Sequence, residues 1–209
     1  KGEHIYCEKA DTDSEITVAE FQRCIRRQQT IFAGIIPESF RAICEEREIC
    51  CHDFMHDEPL NILNAVSTAE GAILEALLRK STVLHASNSL VLGFGRCGKI
   101  IADRLKGMCA CVTVCSQKET ELALAASLGF HTLPLSKLAQ GIYRYEYLFN
   151  TIPACVLNRG CLEHASKDCL IIDIASNRAG ADYEAAKQLG INLCYCPGLP
   201  GKYAGKICA

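Results

Sequence analysis

The chain has 209 residues, which is enough for one large domain or for one and a half ordinary ones, and 49% of the residues are hydrophobic against 22% charged. This balance excludes an intrinsically disordered chain, because burial of apolar surface can offset the entropy of ordering. The net charge of -2 disfavours nucleic acid as a partner. Apolar runs fall far short of the roughly 20 residues that cross a bilayer, so we expect no membrane segment and no membrane partner.

The 15 cysteines are expected to be reduced thiols. A chain of this size can build a core without a disulfide framework. Close pairs such as Cys109 with Cys111 and Cys194 with Cys196 have no second pair at a metal-ligand spacing, so we expect no metal site. This cysteine usage indicates a reducing cytosol.

Residues 1–66 predict part of an N-terminal, substrate-side α/β domain. Residue 1 is Lys, so we expect the sequence to begin within a longer protein. Apolar spacing predicts a helix over 16–28, a strand over 30–35, a helix over 38–48 and a strand over 49–55. A polar connection is expected at 56–59.

Residues 67–86 predict a bridging helix and a linker between two domains. Ser67-Thr68-Ala69-Glu70 has the form of a capping box, in which a hydroxyl accepts from an early amide and Glu70 reaches back. The helix is expected to begin there, to continue through Leu78 and to end near Lys80.

Residues 87–209 predict a doubly wound Rossmann-type parallel sheet with a C-terminal return segment. Strands such as Leu170-Ile171-Ile172 are apolar on both faces, as is expected when helices cover both sides of a sheet. The predicted strands are 88–94, 111–116, 131–135, 146–152, 169–175 and 191–196. The predicted helices are 97–107, 118–128, 158–166 and 182–190.

The first of these strands ends in the motif Gly93-Phe94-Gly95-Arg96-Cys97-Gly98 and is followed by a helix. Gly93 allows a tight turn, Gly95 lets a pyrophosphate approach the backbone, and Gly98 lets the helix pack closely on the strand. The motif predicts dinucleotide binding, with Phe94, Arg96 and Cys97 completing the loop.

The end of the second strand indicates which nicotinamide dinucleotide is bound. An NAD site usually has a carboxylate there, whereas this chain has Ser116-Gln117-Lys118. Ser116 can donate to a 2′-phosphate and Lys118 can neutralise it, so NADP is predicted in preference to NAD. NAD stays possible if Glu119 turns inward.

Three further strand ends are expected to line the same crevice, since ligands bind beyond the carboxyl ends of parallel strands. Each polar residue there also has a plain structural interpretation, such as a helix start or a bond to backbone amides. From these segments we assign Asn150, Thr151, Ile152, Pro153, Asp173 and Pro197 to cofactor binding.

These motifs together resemble the family of the A-type dipicolinate synthase subunits. The resemblance covers about Thr30 to Lys202 and is carried by Asn64-Ala65-Val66-Ser67-Thr68-Ala69-Glu70-Gly71, the glycine motif, Phe149-Asn150-Thr151-Ile152-Pro153, Ile172-Asp173-Ile174-Ala175-Ser176 and Pro197-Gly198-Leu199-Pro200-Gly201-Lys202. The chain departs from the family pattern in three places, the first being that the front of the family's N-terminal domain is expected to be absent from this sequence. Asn177-Arg178-Ala179-Gly180 displaces an arginine by one position, and Tyr203 to Ala209 is shorter than the family's loop.

The resemblance implies an NAD(P)-dependent dehydrogenase subunit that acts in sporulation on the lysine and diaminopimelate branch. It would oxidise dihydrodipicolinate, or a hydroxylated tetrahydro precursor, to dipicolinate (pyridine-2,6-dicarboxylate), with hydride transfer to the nicotinamide. It also implies a flavoprotein-like partner, the B-type subunit of dipicolinate synthase, and a place in the mother-cell cytoplasm. We expect a homo-oligomer.

A dicarboxylate substrate needs cationic or amide donors at two places. We expect one carboxylate at the Ser67-Thr68 helix N-terminus and the other at Arg178 or Lys202. Asn64 and Ser176 complete the expected substrate site. No catalytic acid or base can be named, because the histidines lie outside the strand-end motifs. These are His4, His52, His56, His85, His131 and His164.

Two other functions stay open. The chain could be a nucleotide-binding assembly subunit whose partner performs the redox step. It could also be a relative of the 2-hydroxyacid or alanine dehydrogenases, although no His-carboxylate pair is evident in the crevice.

Overall fold

The structure is a computed structural model that describes residues 16–204, apart from the side chain of Asn177. His4 and residues 205–209 of the predicted C-terminal segment lie outside the described residues. The chain divides into two compact units, Lys1–Asn61 and Ile62–Ala209. The assignment of residues 1–66 to a substrate-side domain stays a prediction.

The first unit contains a two-stranded parallel sheet. In chain order it has helix α1 (Val18–Cys24), strand β1 (Thr30–Ala33), helix α2 (Glu38–Glu46) and strand β2 (Cys50–Asp53). This order of elements is the predicted one. Its small core is formed by Ile25, Ile36, Phe40, Cys44 and Ile49.

Helix α3 spans Glu58–Arg79, so two predictions are wrong. The expected polar connection at 56–59 already contains the helix start, and Ser67-Thr68 lies in the helix interior instead of at its N-terminus. The Asp57 carboxylate accepts a hydrogen bond from the Leu60 amide at 2.9 Å, as a capping residue does. The Thr68 hydroxyl donates to the Asn64 carbonyl at 2.9 Å.

The second unit is built on six parallel strands. They are β3 (Asn88–Leu92), β4 (Cys111–Ser116), β5 (His131–Pro134), β6 (Tyr147–Asn150), β7 (Leu170–Asp173) and β8 (Asn192–Tyr195). Their order across the sheet is β5-β4-β3-β6-β7-β8. The chain therefore winds outward from β3 in one direction and from β6 in the other, which is the strand order of a Rossmann fold.

Helices cover both faces of this sheet. They are α3, α4 (Arg96–Gly107), α5 (Glu119–Ser127), α6 (Leu138–Gly141), α7 (Arg159–Leu162), α8 (Tyr183–Leu189) and α9 (Leu199–Ala204). One core cluster joins Val91 and Phe149 to α3 and α4. The other joins Leu90 and Leu148 to α6, α7 and α8. The doubly wound architecture is confirmed, although α7 is shorter than predicted.

Within residues 16–204, no helix is long and apolar enough to cross a membrane. The thirteen cysteines of this part are free thiols, and several are buried and behave as small apolar side chains. Burial raises the pKa of Cys169 to about 12. No group of three or more His, Cys, Asp and Glu in the described part could hold a metal ion.

Candidate dinucleotide-binding site

The carboxyl ends of the central strands are in register across the sheet. Leu92 of β3 lies opposite Cys115 on one side and Asn150 on the other, and Asn150 lies opposite Asp173. Strand order reverses between β3 and β6, so the loops after these strands flank the crevice in which such sheets bind nucleotides.

The glycine loop after β3 packs directly on the loop after β6. Gly93 has a φ of 88°, a conformation that side chains disfavour, and a Cβ there would lie 2.6 Å from the Thr151 hydroxyl oxygen. That hydroxyl donates to the Leu92 carbonyl at 2.8 Å, and the Thr151 amide donates to the same oxygen at 3.0 Å. The two loops therefore form one rigid edge.

The other two glycines of the motif have different roles. A Cβ on Gly98 would lie 2.1 Å from the Gly93 carbonyl oxygen, so only glycine allows α4 to begin this close to the loop. A Cβ on Gly95 would meet no protein atom within 4 Å. Packing therefore does not require glycine at 95, while close approach of a pyrophosphate to the helix N-terminus would. This arrangement fits a dinucleotide.

Phe94 lies between these glycines but contributes mainly to the core. Its side chain is 1% exposed and meets Phe130 edge to face, with ring centroids 5.9 Å apart. Its predicted role in cofactor binding is therefore restricted to its backbone.

A buried pair of polar side chains supports the loop after β6. The Asn150 amide donates to the Asp173 carboxylate at 3.1 Å, and the Asn150 side-chain oxygen accepts from the Ile152 amide at 3.1 Å. Asp173 also accepts from the Ala175 amide at 2.9 Å and from the Tyr183 hydroxyl. Asn150 and Asp173 are fully buried, so they position the loop instead of presenting polar atoms at the protein surface.

The Tyr183 hydroxyl is a hydrogen-bond donor in this network. Burial and the hydrogen bond to Asp173 both raise the pKa of its hydroxyl well above the ordinary value of 10. The neutral phenol is therefore the stable form, and Tyr183 does not fit the role of a general base.

A carboxylate that the sequence does not suggest lies beside the end of β4. Glu121, on the first turn of α5, accepts from the Ser116 hydroxyl at 2.6 Å and lies 3.1 Å from the Lys118 ammonium. Glu119, the expected candidate, is exposed. Partial burial raises the pKa of Glu121, but the hydrogen bonds from Ser116 and Lys118, together with the nearby Phe94 backbone, outweigh it and lower the pKa overall.

The substrate residues predicted on α3 lie beside the glycine loop, although not at a helix N-terminus. Burial raises the pKa of the Cys97 thiol, and the nearby Thr68 side chain lowers it by less. Ser67 is half-buried and Asn64 is exposed. The helix amides invoked for carboxylate binding are internal to α3, so any substrate contact here would use side chains.

The two cationic candidates have different environments. Arg178 is exposed, and its guanidinium lies 4.4 Å from the Tyr183 ring centroid. Lys202 instead contacts Glu75, a 2% exposed carboxylate on α3, at 2.5 Å. Tyr203 also donates to Glu75 at 2.5 Å, and Arg79 forms an ion pair with it. Lys202 is thus engaged in a structural cluster.

The remaining predicted residues lie at or near the surface. Ile152 is half-buried. The exposed ones are Arg96, Gln117, Pro153, Ser176 and Pro197.

The fold and the glycine loop define a Rossmann-type domain. Two solved structures share this fold at 13% identity. A transhydrogenase from Sinorhizobium meliloti has a TM-score of 0.59 over 82% of this chain and 66% of its own. An L-alanine dehydrogenase has a TM-score of 0.58 over 87% and 62%. No model of a protein family matches the chain.

The chain is a relative of the A-type subunit of dipicolinate synthase, as its motifs predict. It is 31% identical over 183 residues to that protein from Bacillus subtilis (strain 168), which is 86% of this chain. The crystal structure of the corresponding protein from Bacillus halodurans has a TM-score of 0.84 at 26% identity, over 99% of this chain and 71% of that one. The structure from Bacillus subtilis has a TM-score of 0.83 at 27% identity, over 100% and 70%. The chain spans 62% of the length of the curated relative.

Proposed function

We propose that this chain binds a nicotinamide dinucleotide and serves as the dehydrogenase subunit that produces dipicolinate from dihydrodipicolinate or its hydroxy-tetrahydro precursor. The observation that carries the proposal is the packing of Gly93 on Thr151 at the point where strand order reverses. The reaction and the substrate come from the likeness to dipicolinate synthase.

The residues of the edge have distinct tasks in this proposal. Gly95 and the first amides of α4 would hold the pyrophosphate, and Thr151 would shape the crevice wall. A bound nicotinamide would supply the ring that accepts a hydride. Asn150 and Asp173 hold the wall in place through their buried hydrogen bonds. The catalytic acid and base stay unassigned.

For the substrate, we propose Arg178 as the cationic contact in preference to Lys202. The guanidinium of Arg178 is exposed and stacked on Tyr183, which limits its rotamers and pre-organises it for a carboxylate. Lys202 already neutralises Glu75. The Ser67 hydroxyl would donate to the second carboxylate, because the Thr68 hydroxyl already donates to the Asn64 carbonyl. Thr68, Asn64 and Ser176 complete the predicted set.

Arg178 can be tested by dipicolinate binding. Arg178→Met, which keeps the aliphatic stem, should weaken dipicolinate affinity by about tenfold, the value of one charge-assisted contact. Isothermal titration calorimetry with nucleotide present would measure it. Arg159→Met, on an exposed helix end, is the matched control. Equal loss in both variants would contradict a specific role for Arg178.

We also propose the assembly that the relative's name suggests. That name describes one kind of subunit, so the relative works with at least one other. A flavoprotein-like B-type subunit, a homo-oligomeric state of this chain and a place in the mother-cell cytoplasm are proposed on this likeness. Co-expression with the partner, followed by size-exclusion chromatography with light scattering, tests the first two.

The main experiment is a titration of the 209-residue chain with NADH and NADPH, followed by nicotinamide fluorescence, first alone and then with dipicolinate. Saturable binding of at least one nucleotide, strengthened by dipicolinate, supports the proposal. If neither nucleotide binds, the glycine loop is a structural turn and the proposal fails.

The second candidate is a nucleotide-binding assembly subunit whose partner performs the redox step. Buried Asn150 and Asp173 and the neutral Tyr183 favour it, because the two buried side chains are shielded from solvent and the Tyr183 hydroxyl already donates to Asp173. Reduction of the nucleotide by this chain alone would exclude this candidate. A 2-hydroxyacid or alanine dehydrogenase activity would instead be detected with those substrates, and the 13% identity to L-alanine dehydrogenase supports only the fold.

A further inference from the structure

Glu121 lies between the two elements that surround an adenosine ribose in a Rossmann fold, namely the glycine loop and the end of the second strand. Its carboxylate accepts from Ser116 at the end of β4 at 2.6 Å. The backbone of Phe94 in the glycine loop also helps to lower the pKa of this carboxylate. One side chain therefore links both elements.

The charge balance of the corner between the glycine loop and the end of β4 depends on Glu121. The Lys118 ammonium, which the sequence suggests as a phosphate ligand, lies 3.1 Å from the Glu121 carboxylate. The Lys118 side chain is 64% exposed, whereas that of Glu121 is 21% exposed. The carboxylate is thus the more firmly held charge, and Lys118 is already neutralised by it.

A 2′-phosphate and a 2′-hydroxyl would meet this corner differently. A phosphate monoester carries a charge of about -1.5 to -2 at neutral pH and would lie against a carboxylate of the same sign. It would also compete for the Ser116 hydroxyl, which already donates to Glu121. A ribose hydroxyl is a donor, and a carboxylate with spare lone pairs can accept from it.

We propose that Glu121 determines which dinucleotide this chain binds, by accepting a hydrogen bond from the adenosine ribose and repelling a 2′-phosphate. The chain then prefers NAD to NADP, opposite to the preference that Ser116 and Lys118 suggest on their own. Glu121 acts at the position of the carboxylate that is absent from the strand end itself, because the first turn of α5 returns its side chain over Ser116. This inference rests on the proposed nucleotide binding.

The test compares the affinities of NADH and NADPH, by fluorescence titration, in the unmodified 209-residue chain and in Glu121→Gln. We expect the unmodified chain to bind NADH at least about tenfold more tightly, the effect of one charged contact. Glu121→Gln removes the charge and keeps the side-chain size, so NADPH affinity should rise while NADH affinity falls, and the ratio should approach one.

The matched control is Glu119→Gln, which removes the same charge from an exposed position on the same helical turn. Its NADH to NADPH ratio should equal that of the unmodified chain. A thermal melt of each variant checks folding. A second probe pair, 5′-AMP and 2′,5′-ADP, applied as competitors of NADH, reports on the adenosine end alone.

The outcomes separate this inference from the proposed function. Binding of both nucleotides with equal affinity, or tighter binding of NADPH by the unmodified chain, would overturn the role of Glu121 while leaving nucleotide binding in place. An equal change in both affinities in Glu121→Gln would show that the residue only supports the loop, and would also overturn it. Absence of binding by either nucleotide would refute the proposed function and this inference together.

Discussion

Alanine substitutions at Gly95 and Gly98 should separate nucleotide binding from folding within one loop. A Cβ at 98 would lie 2.1 Å from the Gly93 carbonyl oxygen and 2.9 Å from its carbon, where ordinary contacts are 3.4 Å or more. Gly93 cannot easily move away from an added methyl group, because it is itself packed against Thr151. Gly98→Ala should therefore cost about 3 kcal/mol, the upper end of the range for overpacking.

Gly95→Ala has the opposite expectation for stability. Its φ of -75° and ψ of -160° are open to alanine, and the added methyl meets no protein atom within 4 Å. A smaller unfolded-state entropy favours alanine and the loss of a glycine N-cap disfavours it, so the net change should stay within about 0.5 kcal/mol. Nucleotide affinity should nevertheless fall at least about tenfold, because the methyl would occupy the space of the pyrophosphate.

Both variants can be measured in two assays. Urea unfolding followed by circular dichroism gives the change in stability, and nicotinamide fluorescence gives the dissociation constant. Unchanged affinity in Gly95→Ala would show that the pyrophosphate does not approach this loop. Unchanged stability in Gly98→Ala would refute the close packing of α4 on the glycine loop.

The remaining predictions concern buried or partly buried charges and thiols. Asp173→Asn should lower the free energy of unfolding by about 1 to 3 kcal/mol in urea titrations, since an amide cannot accept all three hydrogen bonds of the carboxylate; unchanged stability would contradict the buried network. Glu75→Gln should cost about 3 kcal/mol in the same assay, because two cations lose their counter-charge, and a neutral result would show that this cluster is not formed. The pKa of Glu121 lies below its ordinary value of 4.5, so its ionic contacts stabilise the fold fully above that pH and are lost as the pH falls through the lowered pKa. Acidification from about pH 5 to pH 3 should therefore destabilise the unmodified chain more than Glu121→Gln. Iodoacetamide at about pH 8 should label exposed Cys155 well before Cys115, whose pKa burial raises to about 12, and peptide mass spectrometry showing equal rates would contradict that burial.

The sheet could be predicted from the sequence because each of its strands carries a local signal. Apolar runs such as Leu170-Ile171-Ile172 are short and lie between helical patterns, and the strands observed lie within or at the predicted limits. The glycine motif is equally local, since the turn, the close approach and the helix packing all occur between Gly93 and Gly98. These features need no knowledge of distant contacts.

The start of α3 shows how a local signal can mislead. Ser67-Thr68-Ala69-Glu70 matches a capping box, but the helix already begins at Glu58 after the capping Asp57. The sequence Asp57-Glu58-Pro59 contains the competing signal, a capping residue followed by an acidic residue and an early proline. The Thr68 hydroxyl donates to the Asn64 carbonyl on the preceding helical turn, so this motif destabilises the helix only slightly.

The contacts of Glu121 and Lys202 could not be predicted from the sequence, for different reasons. The role of Glu121 depends on where α5 begins relative to the end of β4, and a shift of one residue would turn the side chain away. The bond from Lys202 to Glu75 joins residues 127 positions apart. Spacing along the chain contains no information about such a contact, and the motif around Lys202 on its own favours a substrate contact.

The packing of α9 against Glu75 has a consequence for the order in which the second unit folds. Leu199 belongs to the same core cluster as Ala72, and a Cβ at Gly71 would lie 3.0 Å from the Leu199 Cβ, so α9 packs tightly on α3. We expect contacts between such distant segments to form late in folding, because the chain must first lose the entropy of a long loop. Before α9 arrives, Glu75 lacks two of its donors and is better hydrated than buried. We therefore expect α9 to pack last and to exclude water from this side of the sheet. Mutations in α9 should accelerate unfolding more than they slow folding.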